Sequence, residues 1–301
     1  MNEEEFYMQS IENSKIKVSV KNHGAELCSV LDKETGVERV WDGNPEIWNR
    51  HAPILFPFVG KVTGGVYRIG DKEYTMKSQH GFARDMDFEC VEVTANAITH
   101  RLIATEETKE KYPFDFELLV THKLDENNDR VLHVIWDVMN HGEDLMYYSI
   151  GGHPAFTLPV EKSEDRKEYF IEFPNRESID YISVNLENGF VQPDKVYPLT
   201  LENGFVQFFE KIHDTLIFDY QNIEAVRVSR PDKTPYVTMT CEQFPMFGIW
   251  AKRTGNFICL EPWVGRADDD GFAGTLDEKI GMAKLESGAK KTISYSIEFH
   301  K

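Results

Sequence analysis

The sequence predicts an all-β protein, a large antiparallel β-sandwich with a few short helices. Three observations carry that expectation. Apolar and polar residues alternate with a period of two in segment after segment, turn-forming clusters recur between those segments, and no regular alternation of strand and helix patterns runs along the chain.

The elements follow in order. In residues 15–20, Ile16, Val18 and Val20 share one face while Lys15, Lys17 and Ser19 share the other. Phe114, Phe116, Leu118 and Val120 alternate in the same way, as do Leu132, Val134, Trp136 and Val138. Near the far end, Ile293, Tyr295, Ile297 and Phe299 alternate with Thr292, Ser294, Ser296 and Glu298. Such runs are half-buried strands with one apolar face. Turn signals separate them at 42–45, 63–65, 125–129, 187–189 and 202–204. Helical periodicity is confined to short pieces, at residues 45–50 and 162–166. LENGFVQ occurs at 186–192 and again at 201–207, once only, which two similar turn–strand units explain. No linker rich in Gly, Ser or Pro interrupts the 301 residues, so a single domain, 1–301, is expected.

Composition narrows the function. A formal net charge of -18 argues against nucleic acid or an anionic membrane as the main partner, while leaving room for a local basic pocket. The N-terminus MNEEEFYMQS lacks the apolar core of a secretory signal, and no segment has the apolar length to span a bilayer. The four cysteines form no CxxC pair, which fits free thiols and a cytoplasmic location. The ten histidines include no HxH or HExxH pair, and none has a cysteine close to it in the sequence, so no metal site is expected. GxGxxG, phosphate-loop and GxSxG motifs are absent, so no nucleotide cofactor and no serine-hydrolase elbow is indicated.

Four clusters carry candidate chemistry. RHAPILFPFVGK (50–61) flanks an apolar strand with Arg50 and Lys61, and solvated strand ends explain it equally well. QHGFAR (79–84) offers His80 and the planar donor fork of Arg84, suited to hydroxyls, carboxylates or phosphate. Taken singly, His80 also fits a buried histidine completing a hydrogen bond. SIGGHPAF (149–156) sets His153 after two glycines, which leave space for a ligand beside a side chain able to exchange protons near neutrality; a tight turn capping a strand is the alternative. FICLEPWVGR (257–266) ends an apolar run on Glu261, a carboxylate whose burial would raise its pKa and make it the preferred general base. Asp214 is a weaker acidic candidate, beside a strand.

In their order along the chain, APILFPFVGK, QHGFAR, GGHPAF and LEPWVGRADD resemble the aldose 1-epimerase (galactose mutarotase-like) superfamily, and within it the LacX-like branch, which is similar to hexose-6-phosphate 1-epimerases. The resemblance covers most of the chain and implies the mutarotase-like supersandwich. It also implies a cofactor-free 1-epimerase acting on a small-molecule sugar or sugar phosphate. In that pattern His153 protonates the ring oxygen and Glu261 takes the proton from the anomeric hydroxyl. His80 and Arg84 hold sugar hydroxyls or a phosphate, and Arg50 and Asp214 match substrate-binding positions less closely. Lys61 departs from the arginine common in relatives, keeping the charge and losing the fork. Two other readings stand beside this one: a carbohydrate-binding protein without catalysis, and a glycoside-acting enzyme. The latter needs two flanking carboxylates, of which the sequence nominates only Glu261.

Overall fold

The structure is a computed structural model describing residues 8–301. Two large antiparallel sheets face each other. The nine-stranded sheet has its long strands at its centre: Lys290–Phe299, Val131–Asn140, Phe116–Leu124 and Ala97–Ile103 lie side by side. Trp136 is registered between Ile293 and Val120, so the alternating apolar residues of three strands stack on one face. These inward residues are buried, as the period-two patterns require.

The eight-stranded sheet runs through Ser178–Ser183, Leu216–Asp219, Met246–Trp250, Phe257–Val264, Ile150–Gly152 and Ile54–Leu55. Its inner residues, among them Phe247, Ile249, Ile258, Leu260 and Ile150, join the inward face of the first sheet in one apolar cluster reaching from Ile11 to Phe299. Strand Phe257–Val264 is buried along almost its whole length because its other face is covered too. There Phe257, Cys259 and Trp263 meet smaller clusters that include Trp41, Ala155, Leu55 and Ile217. The alternation on this one strand therefore separates core from site: even positions face the sandwich, and odd positions, Glu261 among them, face away from it.

Two local expectations change. Only Ile54–Leu55 of the apolar run 52–59 is strand, since the chain turns at the cis Phe56–Pro57 bond. Of the two short helical pieces expected, residues 45–47 form a turn and Ser163–Glu168 a 3-10 helix. One α-helix among the described residues, Glu106–Lys111, was not anticipated; Thr105 caps it by accepting from the Thr108 N–H.

Candidate active site

The four motifs meet at the outer face of the eight-stranded sheet. Gly152 pairs with Ile54, and Gly151 with both Leu55 and Trp263, which ties SIGGHPAF to APILFPFVGK on one side and LEPWVGR on the other. The His153 N–H donates to the Pro53 carbonyl at 3.1 Å. Gly81, at φ +70°, sits so close to Phe56 that a Cβ would lie 2.2 Å from its carbonyl oxygen. Only glycine fits that contact. His80 reaches across to Gly60: its N–H donates to the Gly60 carbonyl at 2.8 Å, and its Nδ1 accepts from the Gly60 N–H at 3.0 Å. An accepting Nδ1 assigns the proton of the neutral ring to Nε2, so His80 keeps one N–H to offer.

Beside these residues lies a cavity of about 390 Å³, lined among others by His80, Arg84, His153 and Glu261. Here His153 Nε2 is 3.3 Å from Glu261 Oε2. Both residues are buried, at 8% and 1% exposure. Neither Glu261 oxygen has a hydrogen-bond partner among the described residues, and neither does His153 Nδ1. Trp48 and Trp250 wall the imidazole at ring separations of 5.1 and 5.7 Å, and His80 stands edge-on at 5.8 Å.

That buried setting biases the protonation. Burial pulls His153 down to about 3, with the Arg84 cation adding to the shift and a backbone hydrogen bond opposing it. Burial pushes Glu261 well above the usual carboxylate range; the nearby Trp263 indole lowers it somewhat, although that N–H lies outside hydrogen-bond geometry. Both shifts favour uncharged forms, so the pair holds one proton, on the carboxyl. One proton between an imidazole and a carboxylate is also the inventory of an imidazolium facing a carboxylate. The pair can therefore donate at one atom and accept at another with no net change of charge. Burial likewise lowers His80 well below its ordinary value, which keeps that ring a neutral donor.

A match to the aldose 1-epimerase family model extends over residues 7–269. The chain belongs to the aldose 1-epimerase family. Across 95% of its length it is 29% identical to protein LacX of Lactococcus lactis, covering 97% of that protein. A galactose mutarotase related enzyme from Lactobacillus acidophilus superposes with a TM-score of 0.88 at 32% identity, over 98% of this chain and 97% of that one. A galactose mutarotase-like protein from Lactobacillus casei does so with a TM-score of 0.82, also at 32% identity, over 97% and 100%. The mutarotase-like fold and the LacX-like branch expected from the motifs are those found.

Within this family member, two of the residues singled out from the sequence stand outside the cavity. Arg50 donates to the Arg84 carbonyl at 3.0 Å and pairs with Asp85, bracing the turn that carries Arg84. Asp214 is engaged by Lys211 at 3.2 Å and lines a neighbouring hollow. The next residue, Thr215, lines the cavity instead. Arg84 itself donates to the Gln79 carbonyl at 2.8 Å, while its Nε lies 3.8 Å from Asp85 Oδ2 and makes no hydrogen bond among the described residues. Lys61 lines the cavity while donating to the Asn188 carbonyl at 2.9 Å, which draws one copy of the repeated LENGFVQ segment over the site.

The glycines before His153 have a different purpose from the one expected. A Cβ at Gly151 would meet Trp263 at 2.5 Å and one at Gly152 would meet the Tyr295 hydroxyl at 2.8 Å, so they make room for an indole and a core phenol rather than for a ligand. Gly248, on the other side of Trp263, would clash with it at 2.5 Å in the same way. Sequence reasoning missed Trp48, Trp250 and Lys252, all of which line the cavity. Trp48 follows a turn and Trp250 ends a continuously apolar strand, positions at which a buried core residue gives the same signal. A separate hollow of about 240 Å³ lies over the buried Asp268–Lys279 ion pair, and none of the motif histidines reaches it.

Proposed function

We propose that the protein is a sugar 1-epimerase that interconverts the α and β anomers of an aldohexose or its 6-phosphate, with His153 and Glu261 as its acid–base pair. The observation that carries this reading is the 3.3 Å approach of His153 Nε2 to Glu261 Oε2 beside the cavity, with neither carboxylate oxygen hydrogen-bonded among the described residues. A hemiacetal carbon bears both reacting oxygens, the ring oxygen and the hydroxyl. Two groups this close can serve both at once. Ring opening takes the proton from the C1 hydroxyl to Glu261 and delivers one from His153 to the ring oxygen; the aldehyde turns, and closure on its other face reverses both transfers. Proton transfers of this kind typically give about a hundred- to ten-thousandfold each. No electron is transferred and no group leaves, so side-chain protons suffice. Trp48 and Trp250 offer apolar walls to the ring, and His80 Nε2 and the Arg84 guanidinium offer donors to its hydroxyls.

The charge around the cavity favours the phosphorylated substrate. Lys61, Arg84 and Lys252 line it, and Glu261 is the single acidic residue in its lining among the described residues, in a protein of net charge -18. Polarimetry on glucose and galactose, each free and as the 6-phosphate, tests the reading. Faster mutarotation of a phosphorylated hexose is expected; equal rates with and without the phosphate would remove that preference. Binding of every sugar without acceleration of any would establish a non-catalytic carbohydrate-binding protein instead.

A further inference from the structure

The catalytic strand brings a third group to the acid–base pair. Cys259 precedes Glu261 by two residues and so lies on the same strand face, and its pairing with Ala155 sets it beside the segment carrying His153. One donor atom each from His153, Cys259 and Glu261 lies within 4.8 Å of the others, and all three residues are buried. The sequence separates this cysteine and histidine by more than a hundred positions; only the antiparallel pairing of 155–157 with 257–259 shows them to be neighbours.

We propose that these three residues form a binding site for a thiophilic divalent cation, zinc or cadmium, and that its occupancy blocks the acid–base pair. Sulfur, imidazole and carboxylate together are the donor set of borderline-soft metals rather than of magnesium or calcium. A thiolate and a carboxylate cancel the two positive charges, and the imidazole binds neutral, so the complex carries no net charge into a buried site. Binding releases the thiol proton, and the carboxyl proton where it is present, to solvent.

Geometry allows it with small movements. Zinc bonds of about 2.0–2.3 Å place tetrahedral neighbours about 3.3–3.8 Å apart, so the widest pair closes by roughly 1 Å. Glu261 has no hydrogen bond to a described residue to break on the way. Two of the three donors, His153 and Glu261, line the cavity. The site lacks one mark of a dedicated metal centre, because His153 Nδ1 has no outer partner to orient the ring. The cation is therefore a reversible blocker of the pair, not a resident ion. The binding stands on the three donors alone; the blocking rests on the roles proposed for His153 and Glu261.

The test uses the full chain with Cys28 and Cys90, both only partly buried, replaced by serine to remove their thiolate signals. Cadmium is titrated while the ultraviolet thiolate-to-metal charge-transfer band is followed, and zinc is then added to anomer-exchange assays. One equivalent of cadmium should develop the band. Cys259→Ala or the bulkier Cys259→Val should abolish it, and Glu261→Gln should weaken cadmium binding about tenfold or more. Cys259→Ala should epimerise at the parent rate with at least about tenfold lower sensitivity to zinc. No band in the parent, a band of full size without Cys259, or epimerisation unaffected at saturating zinc would each overturn the proposal. If the chain accelerates no sugar, the cadmium band still decides the binding, so the two failures are distinguishable.

Discussion

A carboxyl group buried without a hydrogen-bond partner destabilises the chain that carries it, and Glu261 is such a group. Its folded pKa lies above the unfolded value, so the stability linked to it is fully present below about 4.5 and is lost as pH rises. Glu261→Gln removes that penalty. The variant should be more stable than the parent at pH 7, with the gain vanishing below about pH 4.5. Urea denaturation at both pH values checks this, and a variant less stable at neutral pH would show that the carboxylate is satisfied in solution. A residue kept at such a cost points to use rather than packing. This much was legible in the sequence, because a glutamate closing the run Phe257–Leu260 has few ways to meet water. Arg50 and Asp214 were harder to place at this scale. Each lies one structural step from a cavity residue, Arg50 on the Arg84 carbonyl and Asp214 beside Thr215, and residue type alone does not tell a lining side chain from its support.

The long strands could be read because burial on one face leaves a period of two, and Leu132–Val138 and Ile293–Phe299 keep it without a break. Strand Phe257–Val264 could not be divided into its two faces, because both are covered and the alternation disappears. Which of its residues face the cavity became clear only from its neighbours. Trp263 lies across Gly151 and Gly248 on the two flanking strands, and a methyl group at either would meet the indole at 2.5 Å. Gly151→Ala should therefore displace Trp263 and lower stability by about 1–3 kcal/mol, an overpacking effect, with a fall in kcat/KM from the displaced cavity wall. Thermal melts and steady-state kinetics read the two effects, and a variant indistinguishable from the parent in both would mean that the indole is free to move. The helix Glu106–Lys111 escaped notice because a six-residue piece shows less than two turns of periodicity.

At the scale of the whole molecule, the nine-stranded sheet buries two further histidines away from the site. His122 and His100 face inward from neighbouring strands, and burial holds their pKa values at about 3 and about 4. The unfolded chain takes up protons on these rings near 6.5, while the folded one resists. Stability is thus at its full value above about pH 6.5 and is lost as pH falls toward 4 and 3. Replacing His122 with leucine should flatten that decline, measured as denaturation free energy between pH 7 and 4; an unchanged slope would place the loss elsewhere. Function at this scale was legible only in part. Four short motifs in order revealed the family, and a net charge of -18 gave no hint that three cations gather at one cavity.

The central claim is that His153 and Glu261 work as one unit on a single hemiacetal. Two-dimensional exchange NMR between the anomers of the preferred hexose, with the parent protein, His153→Asn, Glu261→Gln and the double variant, tests it most directly. Each single change should slow exchange a hundredfold or more, and the double variant should be little slower than either, because groups that act together are lost together. Parent-like exchange in either single variant, or losses that multiply in the double variant, would contradict it.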